Sequence, residues 1–131
     1  LIRGLSDGTE ELPCHRVSVV DERGELFPEG LERGKKTDVL TGCPKSPGID
    51  MVLRTMGPDC IAVDEITAEA DARALLRAAH CGVRLLATAH GTSAADLRRR
   101  LVYRPLAESS VFQTLLILRQ DKSFRVERAA L

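Results

Sequence analysis

The sequence predicts an α/β domain with a parallel sheet core and an antiparallel hairpin near its C-terminal end. Short apolar runs bounded by polar residues, such as 60–63, are typical of strands buried in a parallel sheet. Stretches with helical periodicity separate these runs, and two apolar runs around a polar turn close the chain. With 131 residues, 44% of them hydrophobic, the chain is expected to form a single domain with one core.

The first part of the chain predicts a helix end, a strand, a loop and a helix. Residues 1–5 predict the last turn of a helix, and the β-rich run 16–20 predicts a short strand. Glycine, proline and charge are dense over 24–48, which predicts a long surface loop of a kind that is often functional. Ser46 can cap a following helix that is expected to end near Met56.

The run 60–63 and the residues after it predict a strand followed by a helix. Alanine and leucine recur at helical spacing over 68–79, which indicates one buried helix face. Thr67 can cap the start of this helix, and Gly82 is expected to end it.

The rest of the chain predicts a second strand and helix, and then the hairpin. Residues 83–88 form a short apolar run, and Ser93 can cap a helix over 94–101. Apolar runs at 112–118 and 123–128 flank a polar turn, a pattern typical of a hairpin.

Polar residues follow three predicted strands at the point where each strand ends. The carboxyl ends of parallel strands lie along one edge of the sheet, where open α/β sheets bind ligands. Carboxylates, a hydroxyl and an imidazole on that edge are the groups that Mg²⁺ and a triphosphate need. The residues are Asp21, Glu22, Asp64, Glu65, Thr88 and His90.

Asp64 and Glu65 allow two interpretations. In nucleotide hydrolases this is the Walker B position, where the Asp holds Mg²⁺ and the following Glu polarises water. Acidic residues are also common at helix starts, where they interact favourably with the helix dipole. The chain contains no G-x-x-x-x-G-K-[ST] phosphate loop.

Composition argues against a nucleic-acid partner and for a reduced, cytoplasmic protein. The 19 basic and 19 acidic residues cancel, and aromatic residues make up 3% of the chain. No apolar stretch has the length of a membrane span, and no signal peptide opens the chain. The cysteines form no C-x-x-C pair, so buried reduced thiols are preferred over a zinc site assembled from Cys14, His15, Cys43, His80 and Cys81.

Four ordered motifs resemble the family of stage III sporulation protein AA, a sporulation ATPase similar to the motor ATPases of type II and type IV secretion. The resemblance covers about 16–128. The motifs are V-V-D-E-R-G-E-L (19–26), T-D-V-L-T-G-C-P-K (37–45), L-R-T-M-G-P-D-C-I-A-V-D-E-I (53–66) and G-V-R-L-L-A-T-A-H-G (82–91).

This resemblance implies a partial RecA-like core with helices on both faces of the sheet, and it implies site roles. Asp64 and Glu65 match the Walker B positions, Asp64 toward Mg²⁺ and Glu65 toward water. Three further features of the family match as well: an arginine upstream of the Walker B positions, and two short motifs known as the acidic box and the histidine box. They are Arg54, the acidic box Asp21, Glu22 and Glu25, and the histidine box Thr88 and His90.

The resemblance also implies a cellular setting. The family is expected to use ATP and Mg²⁺, to form hexameric rings, and to act with other stage III sporulation proteins on a channel between mother cell and forespore. The same resemblance implies a cytoplasmic location, peripheral at the mother-cell face of the forespore membrane. An arginine finger acting on a neighbouring subunit is open among Arg23, Arg33, Arg54 and Arg104.

The family's phosphate loop is the one motif without a counterpart in these 131 residues. We therefore expect residues 1–131 to be the C-terminal portion of a P-loop ATPase domain that neither binds ATP tightly nor hydrolyses it alone. Two alternatives stay open: a degenerate, non-catalytic module that serves as an assembly scaffold, and an unrelated α/β protein with acidic helix starts.

Overall fold

A four-stranded parallel sheet forms the centre of the computed structural model, which describes residues 1–128 and 131. The strands are arranged in the order β2-β1-β3-β4. All three pairings in this sheet are parallel. The strands are β1 (Val17–Asp21), β2 (Thr37–Thr41), β3 (Cys60–Glu65) and β4 (Arg84–Thr88).

Five helices and a hairpin complete the described chain. Strands β5 (Thr114–Leu118) and β6 (Phe124–Arg128) pair antiparallel. None of the described helices is long and apolar enough to cross a membrane. The helices are α1 (Ile2–Asp7), α2 (Lys45–Thr55), α3 (Glu69–His80), α4 (Ala94–Arg99) and α5 (Arg104–Ser109), with a 3₁₀ turn at Leu101–Tyr103.

Alternate residues of the central strands enter two separate apolar clusters, because successive side chains of a strand point to opposite faces. On one face, Ile61 of β3 packs in a cluster with Ile49 of α2 and Leu75 of α3. On the other face, Ala62 belongs to a smaller cluster that Leu5 of α1 covers. The predicted α/β architecture, with helices on both faces and a C-terminal hairpin, is confirmed.

Strand β2 lies inside the segment that the sequence predicts as loop. The strand is only five residues long, it contains the charged residue Asp38, and glycine and proline residues flank it. Pairing with β1 places Val39 opposite Val19 and Leu40 opposite Val20. The strand forms because a buried neighbour satisfies its backbone, a tertiary effect that local composition does not reveal.

Helix starts agree with the prediction in one case of three. Ser93 caps α4 as expected, and its Oγ accepts the Asp96 N–H at 3.2 Å. Helix α2 begins one residue before Ser46, after Pro44, whose side chain accepts no hydrogen bond. Helix α3 begins after Ala68, whose N–H is bound by the carboxylate of Asp71, so Thr67 is not the cap.

Helix α5 and the 3₁₀ turn before it are not predicted from the sequence. These segments are six and three residues long, too short for helical periodicity to show. Tyr103, buried in the 3₁₀ turn, donates its hydroxyl hydrogen to the carbonyl of Ile66 at 3.1 Å. This hydrogen bond links the 3₁₀ turn before α5 to Ile66, the residue that follows β3.

The carboxylate of Asp21 is buried at the end of β1 and organises the loop after this strand. Its Oδ1 accepts the N–H of Glu25 at 2.9 Å, and its Oδ2 accepts those of Leu26 (2.9 Å) and Phe27 (3.3 Å). Leu26 and Phe27 in turn pack on the smaller apolar cluster. Asp21 therefore holds the loop against the sheet.

We predict that Asp21→Asn destabilises the fold by about 1–3 kcal/mol, because the amide NH₂ cannot accept a buried N–H. Urea denaturation followed by circular dichroism measures the change. The matched control is Glu25→Gln, an exposed residue of the same loop, which is expected to stay within about 0.5 kcal/mol of the unmodified chain. Equal stability of both variants would contradict the role of Asp21.

Helix α2 approaches β1 closely at Gly48. A Cβ atom on Gly48 would lie 2.7 Å from Cγ1 of Val20, well inside van der Waals contact. The absent side chain thus lets the N-terminal part of α2 lie against the sheet.

We predict that Gly48→Ala lowers the free energy of unfolding by about 1–3 kcal/mol, because the buried methyl group overpacks this contact. Gly4→Ala in α1 is the control, since a Cβ there meets nothing within 4 Å. The control is expected to be neutral or to stabilise by up to about 1 kcal/mol. Matching denaturation midpoints for the two variants would rule out the steric constraint.

Candidate functional site

The carboxyl ends of β1, β3 and β4 bring most of the predicted site residues to one edge of the sheet. Val20 lies opposite Val63, and Glu65 lies opposite Thr88. Glu22, Asp64 and Glu65 therefore stand next to one another on neighbouring strand ends. We call these three residues the acidic edge.

An irregularity in β3 affects the direction of the Asp64 side chain at the acidic edge. The pairing of β3 with β4 shifts register between Val63 and Glu65, which leaves Asp64 at a bulge. Bulges redirect side chains and are common next to active sites. The Asp64 side chain is 13% exposed, whereas that of Glu65 is 44% exposed.

Lys45, the first residue of α2, lies between two carboxylates of the acidic edge. Its Nζ is 2.7 Å from Oδ1 of Asp64 and 3.8 Å from Oε2 of Glu22. The lysine side chain is only 5% exposed. The sequence predicts no role for Lys45, because a helix capped by Ser46 would leave this lysine outside its first turn.

The ion pair with Lys45 is made by the buried Oδ1 of Asp64. Its Oδ1 is buried and has no partner of hydrogen-bond geometry among the described residues, although Lys45 Nζ lies close to it. The cation beside this buried oxygen is therefore the Lys45 ammonium, and a carboxylate oxygen is also a ligand that Mg²⁺ prefers.

Glu65 is the open member of the acidic edge. Its Oε2 lies 3.5 Å from Nε2 of His90, whose side chain is 87% exposed. Burial and the nearby Glu65 carboxylate raise the pKa of Tyr103 above its usual value. Glu65 is therefore placed where water reaches it, with an imidazole beside it that can carry a proton.

The remaining predicted residues occupy different places. Thr88 is exposed at the end of β4, on the same edge as Glu65. Glu25 is exposed in the loop after β1, while Asp21 is buried below that loop and binds its backbone. Arg54 is exposed in the last turn of α2, which leads back to the amino end of β3, so this chain places it at the opposite edge from Asp64.

The cysteines lie in different environments. Cys60 is buried in β3, and burial raises the pKa of its thiol to about 11. Cys14 is exposed, and a hydrogen bond from Lys36 Nζ at 2.9 Å holds the pKa of its thiol below the usual value. Cys81 is also exposed. Within residues 1–128 and 131, no three His, Cys, Asp or Glu side chains lie close enough together to hold a metal ion by themselves.

Solved structures with the same fold include two ATPases. The chain superposes on the ATPase DotB of Legionella pneumophila with a TM-score of 0.58 and 20% identity, over 97% of this chain and 39% of that one. The DotB ATPase of Yersinia pseudotuberculosis matches with a TM-score of 0.56 and 16% identity, over 97% and 37% of the two chains. At these identities the comparison shows the fold alone.

Sequence comparison identifies the family. The chain is 37% identical over 127 residues to stage III sporulation protein AA of Bacillus subtilis. The match covers 93% of this chain and 41% of the relative. It thus spans about two fifths of that relative's length. The model of the family "Sporulation stage III, protein AA" matches residues 1–127. The chain therefore belongs to the stage III sporulation protein AA family.

Proposed function

We propose that this chain supplies the acidic and histidine-bearing part of an ATPase site, which a longer protein completes with a phosphate-binding loop. The observation that carries this proposal is the placement of Glu22, Asp64, Glu65 and His90 at one edge of a parallel sheet. Asp64 is shielded and Glu65 is open, which suits two different tasks for adjacent carboxylates. The ATPase fold of the structural neighbours supports the same conclusion.

Asp64 fits Mg²⁺. The ion prefers oxygen ligands, and in nucleotide enzymes it takes only one or two carboxylates besides phosphates and waters. Asp64 offers a buried carboxylate oxygen, which the Lys45 ammonium faces at 2.7 Å, and Glu22 lies across Lys45 from it. Mg²⁺ at this position would neutralise charge on the nucleotide's phosphates. A cage of three protein ligands is not needed for this type of site.

Glu65 is the residue we propose to orient and deprotonate the attacking water. Its side chain is about half exposed, at the end of a strand whose position is fixed by pairing on both sides. His90, 3.5 Å away, can accept a proton from it or hold it in place. Glu22 is the second candidate for the base, because it lies on the neighbouring strand end and is 42% exposed.

The wider setting is proposed by analogy with the family. ATP hydrolysis would power or assemble a channel between mother cell and forespore together with other stage III sporulation proteins. A hexameric ring would place Arg54, at the far edge of one subunit, where it can reach the nucleotide of a neighbour. A peripheral location at the mother-cell face of the forespore membrane is part of the same proposal.

We predict that Glu65→Gln, in a full-length family member containing this chain, lowers ATP turnover by about 10²-fold or more and leaves nucleotide binding unchanged. The reason is that glutamine keeps the shape of the side chain but cannot take a proton. Phosphate release and fluorescent-nucleotide binding are the two measurements. Glu10→Gln, in the exposed loop before β1, is the control. Turnover that survives the Glu65 substitution would refute its role as the base.

For the 131-residue chain itself, we predict Mg-ATP binding weaker than about 1 mM, because no G-x-x-x-x-G-K-[ST] loop is present to surround the phosphates. Isothermal titration calorimetry at high protein concentration measures the affinity. A micromolar dissociation constant would contradict the proposal that the phosphate-binding loop must come from elsewhere.

A further inference from the structure

Lys45 has an unusual environment for a lysine. Its side chain is 5% exposed, although lysine is almost never buried without a partner. The nearest anionic atoms are Oδ1 of Asp64 at 2.7 Å and Oε2 of Glu22 at 3.8 Å. The ammonium group therefore bridges the ends of β1 and β3, the two central strands of the sheet.

The position of Lys45 in α2 opposes two local preferences. The N-terminal end of a helix carries partial positive charge, so a cation in the first turn is unfavourable. No acidic residue lies in this turn, and Pro44 provides no cap. Burying the ammonium adds a desolvation cost. Among residues 1–128 and 131, the contact with the acidic edge compensates both effects. Local conflicts of this kind concentrate at functional sites.

The close approach of α2 to the sheet places the lysine there. Gly48, one turn after Lys45, lies against Val20 with no room for a Cβ atom. The helix start is thus held near the end of β1, and the lysine side chain reaches across to β3. The packing of the helix against the sheet therefore fixes the position of Lys45 relative to Asp64.

From these contacts we infer that Lys45 is the internal counter-cation of the acidic edge: its ammonium occupies the place beside Asp64 that a divalent cation would take. It balances the buried carboxylate when no metal is bound, and it weakens metal binding to Asp64 by direct competition. Lys45 is a positioning residue, because it acts through Asp64. The inference rests on the proposed function only in taking Asp64 as the metal ligand.

Competition between the two cations has a defined geometric basis. A divalent ion within coordination distance of Asp64 Oδ1 would lie within a few ångströms of the Lys45 ammonium, and the two positive charges would repel strongly. Lys45 must therefore withdraw when metal arrives, and Glu22 is the carboxylate toward which it can move. The phosphates of a nucleotide would add the negative charge that favours both cations together.

The test measures Mn²⁺ binding to the 131-residue chain by electron paramagnetic resonance, without nucleotide. We expect Lys45→Met to bind Mn²⁺ at least about tenfold more tightly than the unmodified chain. The control Lys35→Met removes one positive charge from an exposed position and is expected to leave the affinity unchanged. The double variant Lys45→Met/Asp64→Asn is expected to lose the gain. An unchanged affinity in Lys45→Met, or a gain that persists in the double variant, would overturn the inference.

Thermal unfolding keeps the inference testable if Lys45→Met folds poorly. Removing the ammonium alone leaves a buried carboxylate without a counter-charge, so the melting temperature should fall. Neutralising Asp64 in the same chain should recover much of the loss, and Mn²⁺ should raise the melting temperature of Lys45→Met more than that of the unmodified chain. If the double variant is no more stable than Lys45→Met, the lysine is only a packing residue and the inference fails.

These experiments separate the inference from the proposed function, since neither uses ATP. A chain in which Lys45 and Mn²⁺ compete, but whose full-length form hydrolyses no ATP, would refute the proposed ATPase and leave the role of Lys45 intact. An ATPase whose Lys45→Met variant shows no change in Mn²⁺ affinity or stability would do the reverse.

Discussion

Parallel pairing between β1 and β3 determines where every polar strand end in this molecule lies. In a parallel sheet each strand finishes at the same edge, so residues far apart in sequence become neighbours without any contact between their own loops. Both faces of these two strands are buried, which fixes their register, because a slip of one residue would turn apolar side chains to the wrong face. The acidic edge inherits its geometry from this pairing.

Two aspartates at strand ends show how one residue type serves different purposes. Asp21 uses both oxygens to hold backbone N–H groups, so its charge serves local structure. The buried Oδ1 of Asp64 faces the ammonium group of Lys45 at 2.7 Å, so the charge of this carboxylate is balanced by a side chain. The difference arises from the chain segment at the end of each strand: a loop folds back over Asp21, whereas a bulge turns Asp64 toward α2.

Much of this arrangement could be predicted from the sequence, and the failures have physical causes. The apolar run ending in Asp64 and Glu65 identified β3 and its polar end, because a short buried strand has a clear composition. Strand β2 could not be predicted because its stability comes from pairing with β1 and not from its own residues. The site role of Lys45 could not be predicted because its contact with Asp64 joins residues 19 positions apart, and no local pattern encodes such a contact. The burial of Asp21 could not be predicted for a similar reason, because its oxygens accept their N–H groups only once the following loop has folded over them.

The two edge strands of the sheet differ in a way that affects how the isolated chain behaves. Strand β2 carries exposed Asp38 near its centre, and a charge at that position discourages other strands from pairing with the edge. Strand β4 has three consecutive apolar residues at its centre, and its one charged residue, Arg84, stands at the first position. The β4 side is therefore the edge of the sheet that is less protected by charge, and a further strand could extend the sheet there.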